Sequence, residues 1–218
     1  ELAAEIASVL AFSAIRNNDK VGLILFTDEI EKYIPPRKGR RHVLRVIREV
    51  LFFEPQRRGT NLPGALEFLS RVTPHKAIAV IISDFLENQA ARKTATPRRA
   101  VRHPQSDVLS DVSYTALRQA NRRHDVVAVQ ITVRHELELP ALGRLILEDA
   151  ETGEIVEVNT GITGDRTTFA EWQTKSRAEL ARQFRAARID AIPLRTDQPY
   201  AAALGKFFEM REKRRLHG

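Results

Sequence analysis

Helical and strand patterns of apolar residues alternate along this chain. Leu2, Ile6 and Leu10 recur at the spacing of one helical face, so the chain opens in an amphipathic helix. The continuous apolar run at 21–26 is typical of a strand covered on both faces of a parallel sheet. A short strand at 30–34 is expected next, and Pro35-Pro36 is expected to stop it.

The same alternation continues to the end of the chain. Helices are predicted at 43–51, 62–72, 111–123 and 169–187 and in a last helix that buries Leu204, Phe207 and Phe208; buried strands at 76–83 and 125–133; a β-hairpin at 145–148 and 155–158; and an edge strand with Pro193 at 189–194. Buried strands separated by helices of 10 to 15 residues are the signature of a doubly wound α/β fold. We therefore predict one domain over 1–218, with a mostly parallel sheet and a small β-hairpin extension.

One segment fits neither pattern. Residues 88–110 lack a sustained apolar period and include Pro97, Pro104 and five lysine or arginine residues. Such a composition favours a loop over a packed element. We expect a basic, flexible insertion at 88–110.

Composition and charge restrict the classes of function. The chain has no cysteine, which excludes disulfides, thiol nucleophiles and zinc held by cysteine, and it favours a reducing compartment such as the cytoplasm. The formal net charge of +7 favours acidic partners. No apolar stretch approaches the ~20 residues of a membrane helix. Because the sequence begins at Glu1 rather than Met, we expect a piece of a longer protein, whose missing front could carry an anchor.

Candidate chemistry lies at the strand ends. In an open parallel sheet, ligands bind outside the carboxyl ends of the strands, where Asp84 follows a predicted strand and Thr60 precedes a predicted helix. The same residues have ordinary structural uses: Thr60 or Asn61 could cap the helix, and Asp84 could brace its own loop. Both readings stay open at this point.

The common catalytic motifs do not occur. There is no phosphate-binding Gly-x-x-x-x-Gly-Lys loop, no Gly-x-Gly-x-x-Gly and no Gly-x-Ser-x-Gly elbow. His135-Glu136 begins like a zinc-protease motif, but Leu139 stands where the second histidine is needed. A hydrolase assembled from scattered histidines such as His42, His75 or His124 at the sheet-end crevice remains the enzyme alternative.

Several segments resemble a known family. Residues 19–28, Asp-Lys-Val-Gly-Leu-Ile-Leu-Phe-Thr-Asp, resemble the second strand of von Willebrand factor A domains. Residues 34–44, Gly-Thr-Asn-Leu at 59–62 and Ile-Ile-Ser-Asp-Phe at 81–85 are similar to the bacterial family of unknown function numbered fifty-eight. The hairpin 147–154 and the Phe207-Phe208 ending fit that family too, and 88–110 fits it poorly.

The resemblance implies a Rossmann-like sheet of the von Willebrand factor A type with a metal-ion-dependent adhesion site. In that family an Asp-x-Ser-x-Ser loop, a threonine and an aspartate surround one Mg²⁺, and the matching positions are Thr60 and Asp84. The chain starts after the Asp-x-Ser-x-Ser loop, so the Mg²⁺ site is incomplete. The first, central strand, which would lie between 21–26 and 77–83, is also absent.

The family also implies a function. Its members are often encoded beside MoxR-type AAA+ ATPases, which implies a non-catalytic, adaptor or chaperone-like protein-interaction module. We expect Arg57 and Arg58 to steer an acidic protein surface toward the edge of the sheet that carries Thr60 and Asp84. A nucleic-acid-binding protein is the other alternative, because pI is about 10.0 and arginines cluster at 37–41, 98–102 and 211–215. No aromatic residue interleaves with those clusters, which disfavours it.

Overall fold

A computed structural model describes residues 2–57, 59–86, 109–133, 143–148, 155–159 and 163–216. The elements, in chain order, are α1 (Leu2–Arg16), β1 (Val21–Phe26), β2 (Ile30–Arg37), α2 (Arg40–Leu51), α3 (Leu62–Val72), β3 (Ile78–Ser83), α4 (Asp111–Arg123), β4 (Asp125–Thr132), β5 (Arg144–Glu148), β6 (Ile155–Asn159), α5 (Thr163–Ala186), β7 (Asp190–Arg195) and α6 (Tyr200–Leu216). The predicted alternation of helices and strands is confirmed.

A three-stranded parallel sheet forms the centre, in the order β3-β4-β7. The middle strand, β4, is buried on both faces, since no residue from Val126 to Val129 is more than 2% exposed. The run of valine and alanine therefore predicts its environment correctly. The same prediction is wrong for β3, where Ile78 is 68% and Val80 38% exposed. The edge position predicted for the Pro193 strand is also confirmed: β7 has β4 as its one neighbour within the described residues.

Helices cover both faces of this sheet because alternate β4 side chains point in opposite directions. Val126 and Ala128 lie in a cluster with apolar residues of α3, α4 and α5. Val127 and Val129 lie in a second cluster with Ile6 of α1 and with residues of β7 and α6. The predicted two-sided α/β arrangement is thus present.

The strand β1 departs from the prediction. Its described neighbour is β2, and the two strands are antiparallel, with Leu23 opposite Ile34 and Leu25 opposite Lys32. The sequence predicted that 21–26 belongs to a mostly parallel sheet, and this pair is antiparallel instead. The chain reverses at Thr27-Asp28-Glu29, too short a connection for a parallel crossover.

The strand β2 also runs through Pro35-Pro36 to Arg37, whereas the sequence predicted that it would stop there. Proline is tolerated because β2 is an edge strand among the described residues, so a missing N–H donor can face outward. Gly22 makes room opposite: a Cβ added to it would lie 2.9 Å from Pro36 Cγ. The pairing shifts register at this point, between Val21 and Leu23.

Two helices connect the β1–β2 pair to the central sheet. On one face, α1 packs against Ile82 of β3 through one end and against Val21 of β1 through the other. On the opposite face, residues of α3 share a cluster with Phe26 of β1 and Ile81 of β3. Nevertheless β1 and β3 belong to separate hydrogen-bonded sheets within the described residues. The halves are held together by side-chain packing rather than by a strand ladder.

The hairpin and the insertion are described in part. β5 and β6 pair antiparallel, which confirms the predicted hairpin, and Leu145 lies opposite Val158. The turn 149–154 and most of the predicted insertion, 88–108, lie outside the described residues. The last two residues of that insertion are not loop-like: Leu109 is 4% exposed within the core, and the Ser110 hydroxyl caps α4 by accepting from the Ser113 N–H.

Helix α5 differs from the prediction in where it starts, and α6 differs in the exposure of one residue. α5 begins at Thr163, six residues before the predicted start. In α6, Leu204 and Phe207 are buried as predicted, but Phe208 is 46% exposed and contacts the Phe207 ring edge to face. A residue adjacent to a buried one on a helix is turned by about 100°, so both cannot face the same sheet. None of the described helices is long and apolar enough to cross a bilayer.

His124 is a buried titratable residue at the junction of α4 and β4. Its side chain is 1% exposed, and neither ring nitrogen has a hydrogen-bond partner among the described residues. Burial lowers the pKa of His124 below its usual 6.5, and the charge of Arg123 lowers it further. The folded state therefore holds the neutral ring.

We predict that this histidine makes folding pH-dependent. Below pH 6.5 the unfolded chain binds the proton more readily than the folded chain, so the free energy of unfolding should fall with decreasing pH until the lowered pKa is passed. Between pH 7.5 and 5, the free energy of unfolding measured with urea should fall less in His124→Gln than in wild type, by a difference on the order of 1 kcal/mol. His75→Gln, at an exposed position, is the control. An unchanged pH dependence in His124→Gln would contradict the assignment.

Candidate functional site at the carboxyl edge of the sheet

The structure places Thr60 and Asp84 at the same edge of the molecule. Asp84 follows the carboxyl end of β3 directly. Helix α3 begins just after Thr60 and runs back to the start of β3, so its first turn lies at the edge where β3 ends. The Asn61 N–H donates to the Thr27 carbonyl at 2.7 Å, which ties this first turn to the carboxyl end of β1.

The Asp84 carboxylate is held by a tight turn. Its Oδ1 accepts from the Leu86 N–H at 3.1 Å, while the Ser83 hydroxyl accepts from the Phe85 N–H at 3.0 Å. Phe85 adopts φ of +57°, a conformation rarely taken by a bulky residue. Its ring is 2% exposed and packs edge to face on Phe184, with the ring centroids 5.1 Å apart, and this packing holds the turn. Asp84 thus braces its own loop, one of the two expected uses.

Only one oxygen of Asp84 is used in that turn. Both hydrogen bonds of the carboxylate involve Oδ1, and Oδ2 accepts none from the part of the chain that the structure describes. The residue is exposed at the edge. The turn therefore orients a carboxylate whose second oxygen remains available to a ligand.

The cap of α3 is Asn61, one of the two residues expected to serve as its cap. The Asn61 Oδ1 accepts from the Gly64 N–H at 2.9 Å, and its Nδ2 donates to the Asp28 carbonyl at 3.1 Å. Asn61 thereby fixes both the helix start and its distance from the β1–β2 turn. Thr60, immediately before it, is exposed and is not the capping side chain.

Glu31 anchors the loop that carries Thr60. Its carboxylate accepts from the Gln56 N–H at 3.0 Å, from the Arg57 N–H at 3.2 Å and from the Thr27 hydroxyl at 2.7 Å. The backbone bond from Gln56 contributes most to holding the pKa of Glu31 below its usual 4.5, followed by the bond from Thr27. Sequence reasoning missed this residue because its contacts lie 25 and 26 positions away.

Arg57 lies beside this anchor and is engaged by acidic neighbours. Its Nε lies 2.8 Å from Glu29 Oε1, and its Nη1 lies 3.5 Å from Asp28 Oδ2. These ion pairs tie the loop to the β1–β2 turn and offset the charge expected to steer a partner. Arg58, the second predicted steering residue, lies outside the described residues.

A narrow crevice opens beside Asp84, between the end of β4 and α5. Thr132, Gln173 and Ser176 line it, and each is at least nine-tenths buried. The space within it for the centre of a water molecule is about 10 Å³, enough for about one water. Between its described walls, the crevice is therefore too narrow for an organic substrate.

The donor atoms at this edge are too few for a complete metal site. Thr60 and Asp84 offer one hydroxyl and one carboxylate, whereas Mg²⁺ requires six oxygen ligands in octahedral geometry. Among the described residues, no group of three or more histidine, cysteine, aspartate or glutamate side chains is placed to hold a metal. We expect these two side chains alone to be too few to hold Mg²⁺ tightly.

Comparison with known proteins identifies a family. The sequence model described as "Protein of unknown function DUF58" matches residues 1–96 and 90–179. The uncharacterized protein Rv1480 of Mycobacterium tuberculosis is 27% identical over 220 residues, which cover all of this chain and 62% of that protein. The uncharacterized protein MAV169 of Mycobacterium avium is 28% identical over 190 residues, covering 85% of this chain and 97% of that protein. The chain thus spans less than two thirds of Rv1480.

A solved structure supports the fold. The crystal structure of the conserved hypothetical protein BatB from Bacteroides thetaiotaomicron superposes with a TM-score of 0.52 at 16% sequence identity. The superposition covers 96% of this chain and 87% of BatB. This likeness concerns the fold alone.

We predict that Glu31 keeps the Thr60 loop in place. Glu31→Gln should lower the amide-exchange protection of Gln56 and Arg57 several-fold, because a charged acceptor is replaced by a neutral one. Since the pKa of Glu31 is lowered, the anchor is present at neutral pH and is lost as pH falls through that pKa. The difference between variant and wild type should therefore vanish at low pH. Glu54→Gln, in the same loop, is the control; equal protection in Glu31→Gln would contradict the role.

Proposed function

The chain belongs to the DUF58 family of proteins of unknown function, and on that premise we propose that it is a non-catalytic protein-interaction module. Its binding surface is the carboxyl edge of the sheet, where Thr60 and Asp84 contribute to a Mg²⁺-dependent contact with a partner. The partner class is the MoxR-type AAA+ ATPase that the family resemblance implies, acting with this chain as an adaptor or chaperone-like component.

The oriented carboxylate of Asp84 carries this proposal. A residue needed only to close a turn does not require a charge, since the Asn61 amide closes a comparable turn at the start of α3. At Asp84 the structure combines an exposed charge, a second oxygen without a hydrogen bond in the described part of the chain and a strained neighbour, Phe85. Backbone strain of this kind is concentrated at functional sites.

The metal would be completed from outside the described residues. Asp84 would supply a charged oxygen and Thr60 a neutral one, and Mg²⁺ characteristically keeps waters or accepts a carboxylate in its remaining positions. The Asp-x-Ser-x-Ser loop implied by the family resemblance and an acidic residue of the partner would supply the rest. The net charge of +7 favours the approach of such an acidic surface.

The narrow crevice favours binding over hydrolysis. A hydrolase holds its substrate in a cleft that buries most of it, typically several hundred Å³ in volume. The crevice beside Asp84 accommodates about one water. An exposed edge with an oriented carboxylate suits contact with another protein surface.

The break between β1 and β3 supports a von Willebrand factor A type of sheet. Helices α1 and α3 span both strands from opposite faces, while the strands share no hydrogen bonds in the described part of the chain. A further strand between them would complete a continuous sheet. It would also bring one more carboxyl end to the edge that holds Thr60 and Asp84.

The test uses an Asp84→Asn variant of the full-length protein. Asparagine keeps an oxygen to accept the Leu86 N–H, so the turn is retained while the charge is removed. We predict that Mg²⁺-dependent co-purification with a MoxR-type AAA+ ATPase weakens by at least about tenfold, with an unchanged melting temperature.

Asp19→Ala is the matched control, because Asp19 is an exposed aspartate at the opposite, amino end of β1. It should bind as wild type does, and chelation of Mg²⁺ should reduce wild-type binding to the level of Asp84→Asn. Binding that survives both chelation and Asp84→Asn would contradict a metal bridge at this edge.

A further inference from the structure

The solvent-facing side of α2 carries an unusual mixture of side chains. Three arginines and three large apolar residues recur there at intervals of three and four positions, which places them along one side of the helix. We call this set the outer stripe: Arg41, Leu44, Arg45, Arg48, Leu51 and Phe52. The opposite side of α2, with Val43, Val46 and Ile47, is buried in the protein.

The apolar members of the outer stripe are well exposed. Phe52 is 80% exposed, Leu51 53% and Leu44 43%. Single exposed apolar residues are ordinary, but three of them on one stripe form a surface. On the adjoining helix α1, Phe12 is 49% exposed and lines an open depression together with Arg16 and Arg40. An exposed apolar residue is thus also present on the adjoining helix.

The positive charge of the stripe is largely uncompensated. Arg41 forms no ion pair within the described residues, Arg45 acts on the charge of Glu49 without an ion pair, and Arg48 has Glu49 at 3.7 Å. Glu49 is also bound by Lys32, and this bond contributes most to lowering the pKa of Glu49. One shared carboxylate does not neutralise three arginines.

The first turn of α2 adds one arginine, Arg40, that forms no ion pair in the part of the chain that the structure describes. Arg40 and Arg41 occupy the positive end of the helix dipole, where acidic residues are normally preferred, and Gly39 gives no side-chain cap. This arrangement costs stability unless negative charge is supplied from outside. The face is complementary to an extended anionic surface.

We propose that the outer stripe docks the protein on an anionic lipid bilayer. Arg41, Arg45 and Arg48 would lie among the lipid phosphates, while Leu44, Leu51 and Phe52 enter the interface between headgroups and acyl chains. Basic clusters bind anionic leaflets through charge, and exposed phenylalanine and leucine add apolar burial. The proposal concerns α2 and is independent of the function proposed for the carboxyl edge.

The side-chain types favour a bilayer over nucleic acid. Arginine suits both, but leucine neither stacks on bases nor bonds to phosphates, so Leu44 and Leu51 would gain nothing on DNA or RNA. A bilayer interface buries leucine and phenylalanine beside arginine. Nucleic acid is accordingly an alternative outcome of the test.

The test is co-sedimentation of the 218-residue protein with vesicles containing 30% phosphatidylserine in phosphatidylcholine. An arginine near an anionic surface contributes about fivefold to partitioning, so R41Q/R45Q/R48Q should bind about 100-fold more weakly. F52S should reduce binding by about tenfold without changing charge. The matched control is R118Q/R122Q/R123Q, three arginines of α4 on the other face of the sheet.

The expected result is binding to anionic vesicles, none to pure phosphatidylcholine, and loss in the stripe variants at unchanged melting temperature. Equal binding to both vesicle types would overturn the proposal, as would an equal loss in the α4 control, which would indicate net charge alone. Retention of a DNA duplex, abolished by R41Q/R45Q/R48Q and accompanied by no vesicle binding, would assign the stripe to nucleic acid.

Discussion

The burial of β4 on both faces is the constraint on which the other elements depend. Val126 and Ala128 face one helical layer and Val127 and Val129 face the other, so both layers meet at this strand. Parallel pairing with β3 and β7 then fixes which strand ends share an edge. The β1–β2 pair is joined to this unit by packing on α1 and α3, without a strand ladder to β3 among the described residues. The position of Thr60 relative to Asp84 thus depends on helix packing across a break in the sheet.

Local patterns in the sequence predict the elements well and their partners poorly. Helix α4 occupies the predicted 111–123, since its apolar period and its Ser110 cap are local signals. The run Val21–Phe26 indicates burial, but the direction of its neighbour is decided by the short turn that follows. Pro35-Pro36 ends a strand only when the N–H groups are needed, which depends on whether a further strand lies alongside. Likewise, burial of Leu109 depends on α4 and α5 and is invisible in a polar, proline-rich segment.

The candidate site was predictable where it follows strand ends and not where it depends on long-range bonds. Asp84 and Thr60 are visible from their positions after a strand and before a helix. The Glu31 anchor joins residues 25 positions apart, and the left-handed Phe85 is held by its contact with Phe184, about 100 residues along the chain.

Arg57 shows most clearly what the sequence does not predict. Its charge is evident in the sequence, while its ion pairs with Glu29 and Asp28 require the folded turn. The arginines of α2 differ in having little such compensation.

Residue-resolved hydrogen exchange of β3 in the 218-residue protein, with β4 as the internal reference, tests most directly whether the sheet ends at β3. If β3 pairs on one side only, its amides that donate to β4 should be strongly protected, and the alternate amides facing the other edge should exchange much faster. The amides from Val126 to Val129 of β4, which has a strand on each side, should exchange slowly throughout. Protection of every β3 amide to the level of β4 would contradict the account, because it would show that another strand pairs with β3 in solution.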